Sequence, residues 1–288
     1  MHHGLRTFSR WVVVLAVIGH AAVSPAAPLR KARFDLSKEA FNTVAKSLEA
    51  EGLYPVVLSG YEVGGQEKYA AVFEEHKPVE WEPFMMLPCE TFLDKLPLLT
   101  PKGYRPLNLY PASGGDTLRV SCICVKDGSV GYQARIGLSH EDVQKLSRAY
   151  DVDKFRLVSL RGYDMGSEAR FAALWEQRRI DAPPTEVQFD VSPSAFNQAA
   201  KKFAARKYAP VSLSTYTVAG KQKLAALWEK KPPDVVVEFR PMLSPDELQK
   251  QLDLMERKNL RVVDLQAYLV AGKPKFSLIW DHERPAAE

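Results

Sequence analysis

The sequence predicts an α+β fold of five tandem helix–strand–turn–strand repeats, which we expect to form a curved antiparallel sheet, a half-barrel or a ring, with the helices on the outside. Two observations predict this fold: five segments of the chain align with one another, and a helical pattern precedes each of them. The chain has 288 residues, of which 46% are hydrophobic and 26% are charged. These values are typical of a folded protein that buries a sizeable core.

The five aligned segments establish the repeat. They contain no internal gaps, and they start 51, 51, 53 and 52 positions apart, at 54–74, 105–125, 156–176, 209–229 and 261–281. Because a constant register over five copies is the mark of tandem modules, we predict a single repeat superdomain over residues 34–283. Its copies are expected at approximately 34–83, 84–134, 135–186, 187–238 and 239–283.

The columns of this alignment predict two strands in each copy. The first strand has a leucine column, at Leu58, Leu109, Leu160, Leu213 and Leu265. Two positions earlier every copy is aliphatic, at Val56, Leu107, Val158, Val211 and Val263. Since neighbouring positions are mostly polar, as at Ser59, Ser159, Ser212 and Asp264, we expect this strand to bury one face. A turn containing glycine follows, and the next segment is apolar on both faces, which predicts a central strand.

A helix is predicted before each pair of strands. Serines occupy the N-cap position in four copies, at Ser37, Ser139, Ser192 and Ser244. Asp142 and Glu247 follow their serines by three residues, which is the spacing of a capping box. The second copy is irregular, because Pro88 and Cys89 stand in its cap region and Pro97 is expected to limit its helix.

The N-terminus has the pattern of a secretory signal peptide over residues 1–26. Arg6 and Arg10 precede an apolar run from Trp11 to Ile18, and small residues follow. We expect cleavage near Ala26 and a secreted or periplasmic mature protein with no stable membrane insertion. An uncleaved membrane anchor is the alternative, although the apolar run is short for a bilayer of about 30 Å.

Charge and cysteine content exclude some functions. The formal net charge is +4, and two of the positive charges lie in the expected leader, so the mature chain lacks the basic character of a nucleic-acid binder. Three cysteines cannot build a disulfide framework. We expect Cys122 and Cys124 to be buried core residues, with a disulfide from Cys89 to one of them as the alternative.

The repeat resembles a known family. Its pairing of Tyr163 with Trp175, Tyr216 with Trp228 and Tyr268 with Trp280 is similar to the bacterial tandem repeat of secreted bacterial proteins. It also resembles the non-catalytic N-terminal region of fungal polyglycine hydrolases, whose separate catalytic region belongs to the β-lactamase-like serine hydrolases. The resemblance covers nearly the whole mature chain and implies the repeat fold. It implies no settled activity, and we expect no counterpart of the catalytic region within these 288 residues.

No catalytic motif is present in the sequence. No serine is followed by lysine three positions later, and there is no G-x-S-x-G, H-E-x-x-H or C-x-x-C segment. Beyond the leader the only histidines are His76, His140 and His282, which lie far apart in the sequence. We therefore predict that the protein is not an enzyme, with no catalytic residue, no metal site and no cofactor.

A repeated surface remains as the candidate binding site. Every copy has a basic residue at one column, namely Lys68, Arg119, Arg170, Lys223 and Lys275. Four copies have tyrosine at another column, namely Tyr61, Tyr163, Tyr216 and Tyr268, and Ala112 is the exception. These columns suit aromatic and cationic contacts to an extended glycan or peptide. The structural alternative is that the tyrosines and tryptophans pack between modules and that the charges form ion pairs between repeats.

Three functions follow from these patterns. We expect an exported, non-catalytic binding or scaffold module for a protein or glycan partner outside the cytoplasm. The first alternative is an accessory or substrate-recognition domain that works with a separately encoded serine hydrolase. The second is a cryptic hydrolase whose site is assembled between repeats.

Overall fold

The computed structural model describes residues 29–114, 117–128, 131–166, 168–177, 182–232 and 235–283. The predicted signal peptide and the turn residue Gly115 lie outside the described residues. None of the described helices has both the length and the apolar character that a membrane crossing requires.

Five units of strand, helix, strand and strand follow one another. Unit 1 contains β1 (Arg30–Leu36), α1 (Lys38–Ala50), β2 (Leu53–Val63) and β3 (Gln66–Glu75). Unit 2 contains β4 (Glu80–Pro88), α2 (Cys89–Leu99), a 3-10 turn (Thr100–Lys102), β5 (Tyr104–Pro106), β6 (Tyr110–Gly114) and β7 (Thr117–Lys126). Unit 3 contains β8 (Tyr132–Leu138), α3 (His140–Val152), β9 (Phe155–Asp164) and β10 (Ala169–Gln177). Unit 4 contains β11 (Thr185–Val191), α4 (Pro193–Ala205), β12 (Tyr208–Val218) and β13 (Lys221–Lys230). Unit 5 contains β14 (Val235–Leu243), α5 (Pro245–Lys258), β15 (Arg261–Val270) and β16 (Lys273–Glu283).

Each unit builds its own antiparallel sheet. The order is first strand, last strand, second strand in every unit, so the doubly apolar strands β3, β7, β10, β13 and β16 are central, as predicted. Two features differ from expectation. Every unit begins with a strand before its helix, which the sequence did not predict, and the described strands form five small sheets in place of one curved sheet.

The unpredicted first strand is irregular, which explains why its pattern was missed. Each one contains a residue with positive φ two positions before the helix cap, namely Asp35, Met86, Gly137, Asp190 and Met242. The pairing register shifts at the same place in all five sheets. These residues form β-bulges, which interrupt the period-two alternation that identifies a strand in a sequence. We call them the bulge residues.

The helix caps follow the sequence prediction. The side chains of Ser37, Ser139, Ser192 and Ser244 each accept a backbone N–H in the first turn of their helix. The second and fourth of these belong to complete capping boxes, with Asp142 and Glu247 as partners. In unit 2, Pro88 provides no side-chain cap, and the helix ends at Leu99, two residues after Pro97. The shorter helix is the cost of placing proline near its end.

Among the described residues, five hydrophobic cores each combine residues of one unit with residues of a neighbouring unit. Phe41 and Phe73 of unit 1 pack with Ile123 of unit 2, and the same arrangement joins units 2 and 3, 3 and 4, and 4 and 5. The remaining core combines Val72 of unit 1 with Trp280 of unit 5. Contacts between the second strands follow the same order, and β15 of unit 5 contacts β2 of unit 1. Because each core needs two units, a single unit cannot bury its apolar surface alone.

The burial of the second strands differs from the expectation of one apolar buried face. The leucine column is completely buried, as predicted, but the polar Ser59, Ser159, Ser212 and Asp264 are also buried. The aliphatic column at Val56, Leu107, Val158, Val211 and Val263 is only half-buried. The predicted single apolar face is therefore wrong. Ser59, Ser212 and Asp264 hydrogen-bond to other units, which offsets the cost of burying them, whereas Ser159 Oγ has no partner among the described residues.

Serine hydroxyls join the edges of adjacent sheets. Ser212 Oγ accepts from Leu160 N at 3.3 Å and donates to Leu160 O at 3.1 Å, which connects units 4 and 3. Ser214 makes the same pair of bonds to Gly162, and Ser59 of unit 1 accepts from Ala267 N of unit 5 at 2.9 Å. The hydroxyls thus satisfy edge groups that a continuous sheet would pair through its backbone.

Candidate functional site

The predicted tyrosine column is brought together, but its side chains are buried. Tyr61, Tyr163 and Tyr216 are only 3%, 3% and 5% exposed, and Tyr268 is half-buried. All four line one recess of about 140 Å³ toward the end of the second strands, together with Ala112. We call it the tyrosine recess. A ligand that stacks on an aromatic platform needs an exposed ring face, so burial of these rings favours packing as their main task.

The tyrosine hydroxyls lie against the bulge residues. The hydroxyl of Tyr61 lies near the backbone of Asp35. The hydroxyls of Tyr163 and Tyr268 lie near the backbones of Gly137 and Met242, respectively. The hydroxyl of Tyr216 donates to Asp190 Oδ1 at 2.7 Å. Burial raises the pKa of Tyr163 and of Tyr268 to about 12, and it raises the pKa of Tyr61 and Tyr216 further. Tyr216 therefore supports the irregular strand of its own unit through a hydrogen bond, and the other three hydroxyls lie beside the equivalent bulge residues.

The tyrosine ring also fills space above the preceding unit. A Cβ atom added at Gly162 of unit 3 would overlap the ring of Tyr216 in unit 4. Glycine is required there because the ring packs directly on its backbone. At Gly60 of unit 1, an added Cβ would instead meet Ser121 and Met86 of unit 2, whose tyrosine position is Ala112.

The basic column lies opposite the tyrosine column in each hairpin. The register pairs Tyr61 with Lys68, Ala112 with Arg119, Tyr163 with Arg170, Tyr216 with Lys223 and Tyr268 with Lys275. All five basic residues are half-buried. Lys68 pairs with Asp35 at 3.3 Å, Arg119 with Glu67 at 2.5 Å and Arg170 with Glu168 at 2.6 Å. Lys223 donates to the backbone oxygen of Asp190 at 3.3 Å, and Lys275 lies near Glu247. Much of this charge is therefore compensated within the fold.

An acidic column joins neighbouring units in two places; it lies directly after the position of Trp175 and comprises Glu74, Glu176, Glu229 and Asp281. Arg105 of unit 2 pairs with Glu176 of unit 3 at 2.5 Å, and Arg156 of unit 3 pairs with Glu229 of unit 4 at 3.3 Å. Ion pairs between repeats, the structural alternative for the charged columns, are therefore present at these two places. In unit 5 the equivalent Asp281 pairs with Arg261 of its own unit.

A buried ionic cluster, which the sequence did not predict, joins four units. Arg161 of unit 3 donates to both carboxylate oxygens of Asp264 in unit 5, at 2.7 and 2.8 Å, and to Leu213 O of unit 4 at 3.0 Å. It also donates to the hydroxyl of Tyr110 in unit 2 at 2.8 Å, and that hydroxyl donates to Asp264 Oδ1 at 2.6 Å. We call Tyr110, Arg161 and Asp264 the central cluster. Burial would lower the pKa of Arg161, but Asp264 and Tyr110 together raise it.

The alignment does contain a signal for this cluster. Arg161 and Tyr110 occupy the position that is Ser59, Ser214 or Gln266 in the other units. A long charged or aromatic side chain in a column of small polar residues indicates an asymmetric contact. Without the tertiary arrangement, however, the partner of Arg161, 103 residues away, is not identifiable.

A second recess, of about 280 Å³, lies toward the start of the second strands. It is surrounded by the half-buried aliphatic column, and its lining includes Asn108, Ser159 and the central cluster. We call it the aliphatic recess.

The cysteines are free thiols. Cys122 and Cys124 are fully buried, as predicted, with their sulfur atoms 3.9 Å apart, and Cys89 is half-buried in the same core. Within the described part of the chain, no three His, Cys, Asp or Glu side chains are arranged to hold a metal ion. His140 is exposed beside Glu141, and the Nδ1 atom of exposed His76 lies 2.7 Å from the backbone oxygen of Lys77.

Comparison with known proteins agrees with the repeat. A search of curated proteins finds no match to this chain. The family model for the polyglycine hydrolase-like structural repeat matches four segments, at residues 27–76, 129–178, 182–231 and 238–283. These segments correspond to units 1, 3, 4 and 5, and they cover more than half of the chain. The chain therefore belongs to the polyglycine hydrolase-like structural repeat family.

Proposed function

We propose that the protein is an exported, non-catalytic module that binds or scaffolds a protein or glycan partner outside the cytoplasm. In this proposal the five units close into a ring with the helices on the outside. The observation that carries it is the central cluster, because one buried network holds units 2, 3, 4 and 5 in a single arrangement. Ser59 and the core shared by units 1 and 5 support closure between the two ends.

A rigid arrangement suits a scaffold because little ordering entropy is lost when a partner binds. The buried network is satisfied on most of its polar atoms, and such networks specify one packing of the elements they join. The predicted binding columns also have structural roles, because their side chains pack within and between units. Tyr216, for example, supports Asp190 and covers Gly162.

The tyrosine recess provides the proposed contact surface. Its margin carries polar groups on neighbouring units, namely Glu62, Asp164 and Thr217, all half-buried. Asp164 Oδ1 and Thr217 Oγ1 are buried atoms without a hydrogen-bond partner among the described residues. Carboxylate and hydroxyl oxygens of this kind accept hydrogen bonds from sugar hydroxyls or peptide N–H groups. The tyrosines line the recess, and the basic column pairs with them across each hairpin.

Capture from the secreted and envelope fractions of the host tests the proposal. The bait is the exported chain, compared with a Glu62→Gln, Asp164→Asn, Thr217→Val variant that keeps the tyrosines intact. The matched control changes Glu141→Gln, Asp253→Asn and Thr43→Val, which are exposed positions on helices. Loss of one defined protein or glycan from the first variant only is the expected result. Equal capture by all three baits contradicts this contact surface, and capture of nothing by the parent contradicts the binding role.

The accessory role is the second candidate, and the family match favours it, since the matched repeat is named for polyglycine hydrolases. Captured material is treated with a fluorophosphonate probe, which labels active serine hydrolases. Labelling of a separate captured protein supports the accessory role. Labelling of this chain itself contradicts the proposal that it is non-catalytic.

A further inference from the structure

Three residues that line the aliphatic recess, which we call its floor, each carry one buried polar atom with no hydrogen-bond partner among the described residues. These atoms are Asn108 Oδ1, Ser159 Oγ and Arg161 Nε, on residues that are 8%, 4% and 2% exposed. All three residues line the recess. A buried polar group without a partner costs about 1 to 3 kcal/mol, so three in one recess mark a place that is completed by something else.

The hydrogen-bonding roles of these atoms follow from their other contacts. Asn108 Nδ2 donates to Val56 O at 2.9 Å, which leaves Oδ1 as an acceptor. Both Nη atoms of Arg161 are used in the central cluster, which leaves Nε–H as a donor. The Ser159 hydroxyl donates or accepts. The floor therefore offers one acceptor, one donor and one group of either kind.

The charges around the recess are already paired. Arg161 is neutralised by Asp264, and Arg30 at the margin forms an ion pair with Glu74. A charged ligand would bring a charge that nothing balances into a partly buried site, which is unfavourable. The surrounding aliphatic column suits an apolar neck on the ligand. The site thus fits an uncharged polar head that follows a short hydrocarbon segment.

We propose that the aliphatic recess binds a primary carboxamide, on a small molecule or on the Asn or Gln side chain of a partner. The carboxamide oxygen accepts from Arg161 Nε–H, and its N–H donates to Asn108 Oδ1. The Ser159 hydroxyl either donates to the carboxamide oxygen or accepts from its second N–H. A primary carboxamide presents its oxygen and one N–H side by side, whereas a trans backbone amide points them in opposite directions and cannot offer both to one floor.

This site shares the central cluster with the proposed scaffold, but its ligand-binding groups are separate from those of the tyrosine recess. It involves different residues, and either proposal can fail while the other holds. The experiment therefore uses the purified chain with small probes and no cellular partner.

Titration of the isotope-labelled chain with propionamide, followed by NMR, tests the site. The signals to follow are the Asn108 side-chain amide and the Arg161 Nε–H, which report directly on the floor. Propionate, 1-propanol and N-methylpropionamide are the comparison probes, and they differ from propionamide in charge, in head group and in amide geometry. The Ser159→Ala variant removes one partner. Ser47→Ala removes a serine hydroxyl from an exposed helix face outside both recesses and serves as the control.

The expected result is a saturable shift of both signals with propionamide, and weaker binding of the other three probes. Ser159→Ala weakens propionamide binding by about 2- to 10-fold, as expected for one hydrogen bond, and Ser47→Ala leaves it unchanged. A shift that does not saturate means that the recess holds only water, and it overturns the proposal. Equal or tighter binding of propionate overturns the uncharged class, and equal binding of N-methylpropionamide overturns the primary carboxamide. An unchanged affinity in Ser159→Ala also counts against the site.

Discussion

Unit 2 and unit 4 use different side chains to support the bulge residue and to fill the space above the preceding unit. In unit 4, Tyr216 supports the bulge residue Asp190 and covers Gly162 of the preceding unit. In unit 2 the tyrosine is replaced by Ala112, and the backbone N–H of the bulge residue Met86 donates to Ser121 Oγ at 3.2 Å. Ser121 and the Met86 side chain also occupy the space above Gly60. The repeat therefore conserves a hydrogen bond and a filled volume, and it does not require tyrosine itself.

Unit 2 also contributes a contact that the regular units lack. Its second strand is split into β5 and β6, and Tyr110 at the start of β6 enters the central cluster. The family model matches the other four units and not this one. The irregular unit is thus integrated through an asymmetric buried network, and the comparison predicts which changes each kind of unit tolerates.

The largest effect is expected from Asp264→Ala, which leaves Arg161 buried without its counter-ion. Removing one partner of a buried ion pair typically costs about 3 to 5 kcal/mol. Urea denaturation measures the free energy of unfolding. The double variant Asp264→Ala, Arg161→Met is the control, because it removes both charges and should recover much of the loss. If the double variant is as unstable as the single one, the cluster does not act as a charge pair.

The next effect concerns the packing of tyrosine on glycine. Gly162→Ala should destabilise by about 3 kcal/mol, because the added methyl group displaces the Tyr216 ring. Gly131→Ala is the matched control, because a Cβ atom added at Gly131 would meet its nearest neighbours only at ordinary contact distances. Thermal unfolding compares the variants. A neutral Gly162→Ala would show that the ring can move aside.

Alkaline pH tests the tyrosines of the regular units. The pKa of Tyr163 is raised by burial from 10.0 to about 12, so its contribution to stability is complete below pH 10 and is lost as the pH rises through 12. A shift of this size corresponds to at most about 3 kcal/mol. The free energy of unfolding should fall over this pH range, and that of the Tyr163→Phe variant should fall less steeply. If the free energy of unfolding falls equally steeply with pH in both proteins, the raised pKa of Tyr163 is contradicted.

The smallest effect tests the substitute in unit 2. Ser121→Ala should cost about 1 to 2 kcal/mol, because the backbone N–H of Met86 then has no acceptor. The corresponding position is already alanine in units 1, 3 and 4, at Ala70, Ala172 and Ala225. Ser47→Ala on an exposed helix face is the control. A cost no greater than that of Ser47→Ala would mean that water replaces the hydroxyl.

Much of the unit was predictable from the sequence. The serine caps, the hairpin turns and the central strands depend on residues close together in the chain, so their patterns are local. The first strand was missed because its bulge breaks the alternation, and the buried Ser59 and Ser212 were read as solvent-facing. The candidate site was predicted only in part. The tyrosine column does converge, but its burial depends on the neighbouring unit.

The sequence by itself determined the number of units, their spacing and the local elements, because a period of about 52 residues repeats the same short-range preferences five times. Only the tertiary structure decided how the units meet. Arg161, Asp264 and Tyr110 find one another across 51 and 103 residues, and the cores form between units. No local pattern encodes such contacts, since a buried charge is stable only where the fold supplies its partner.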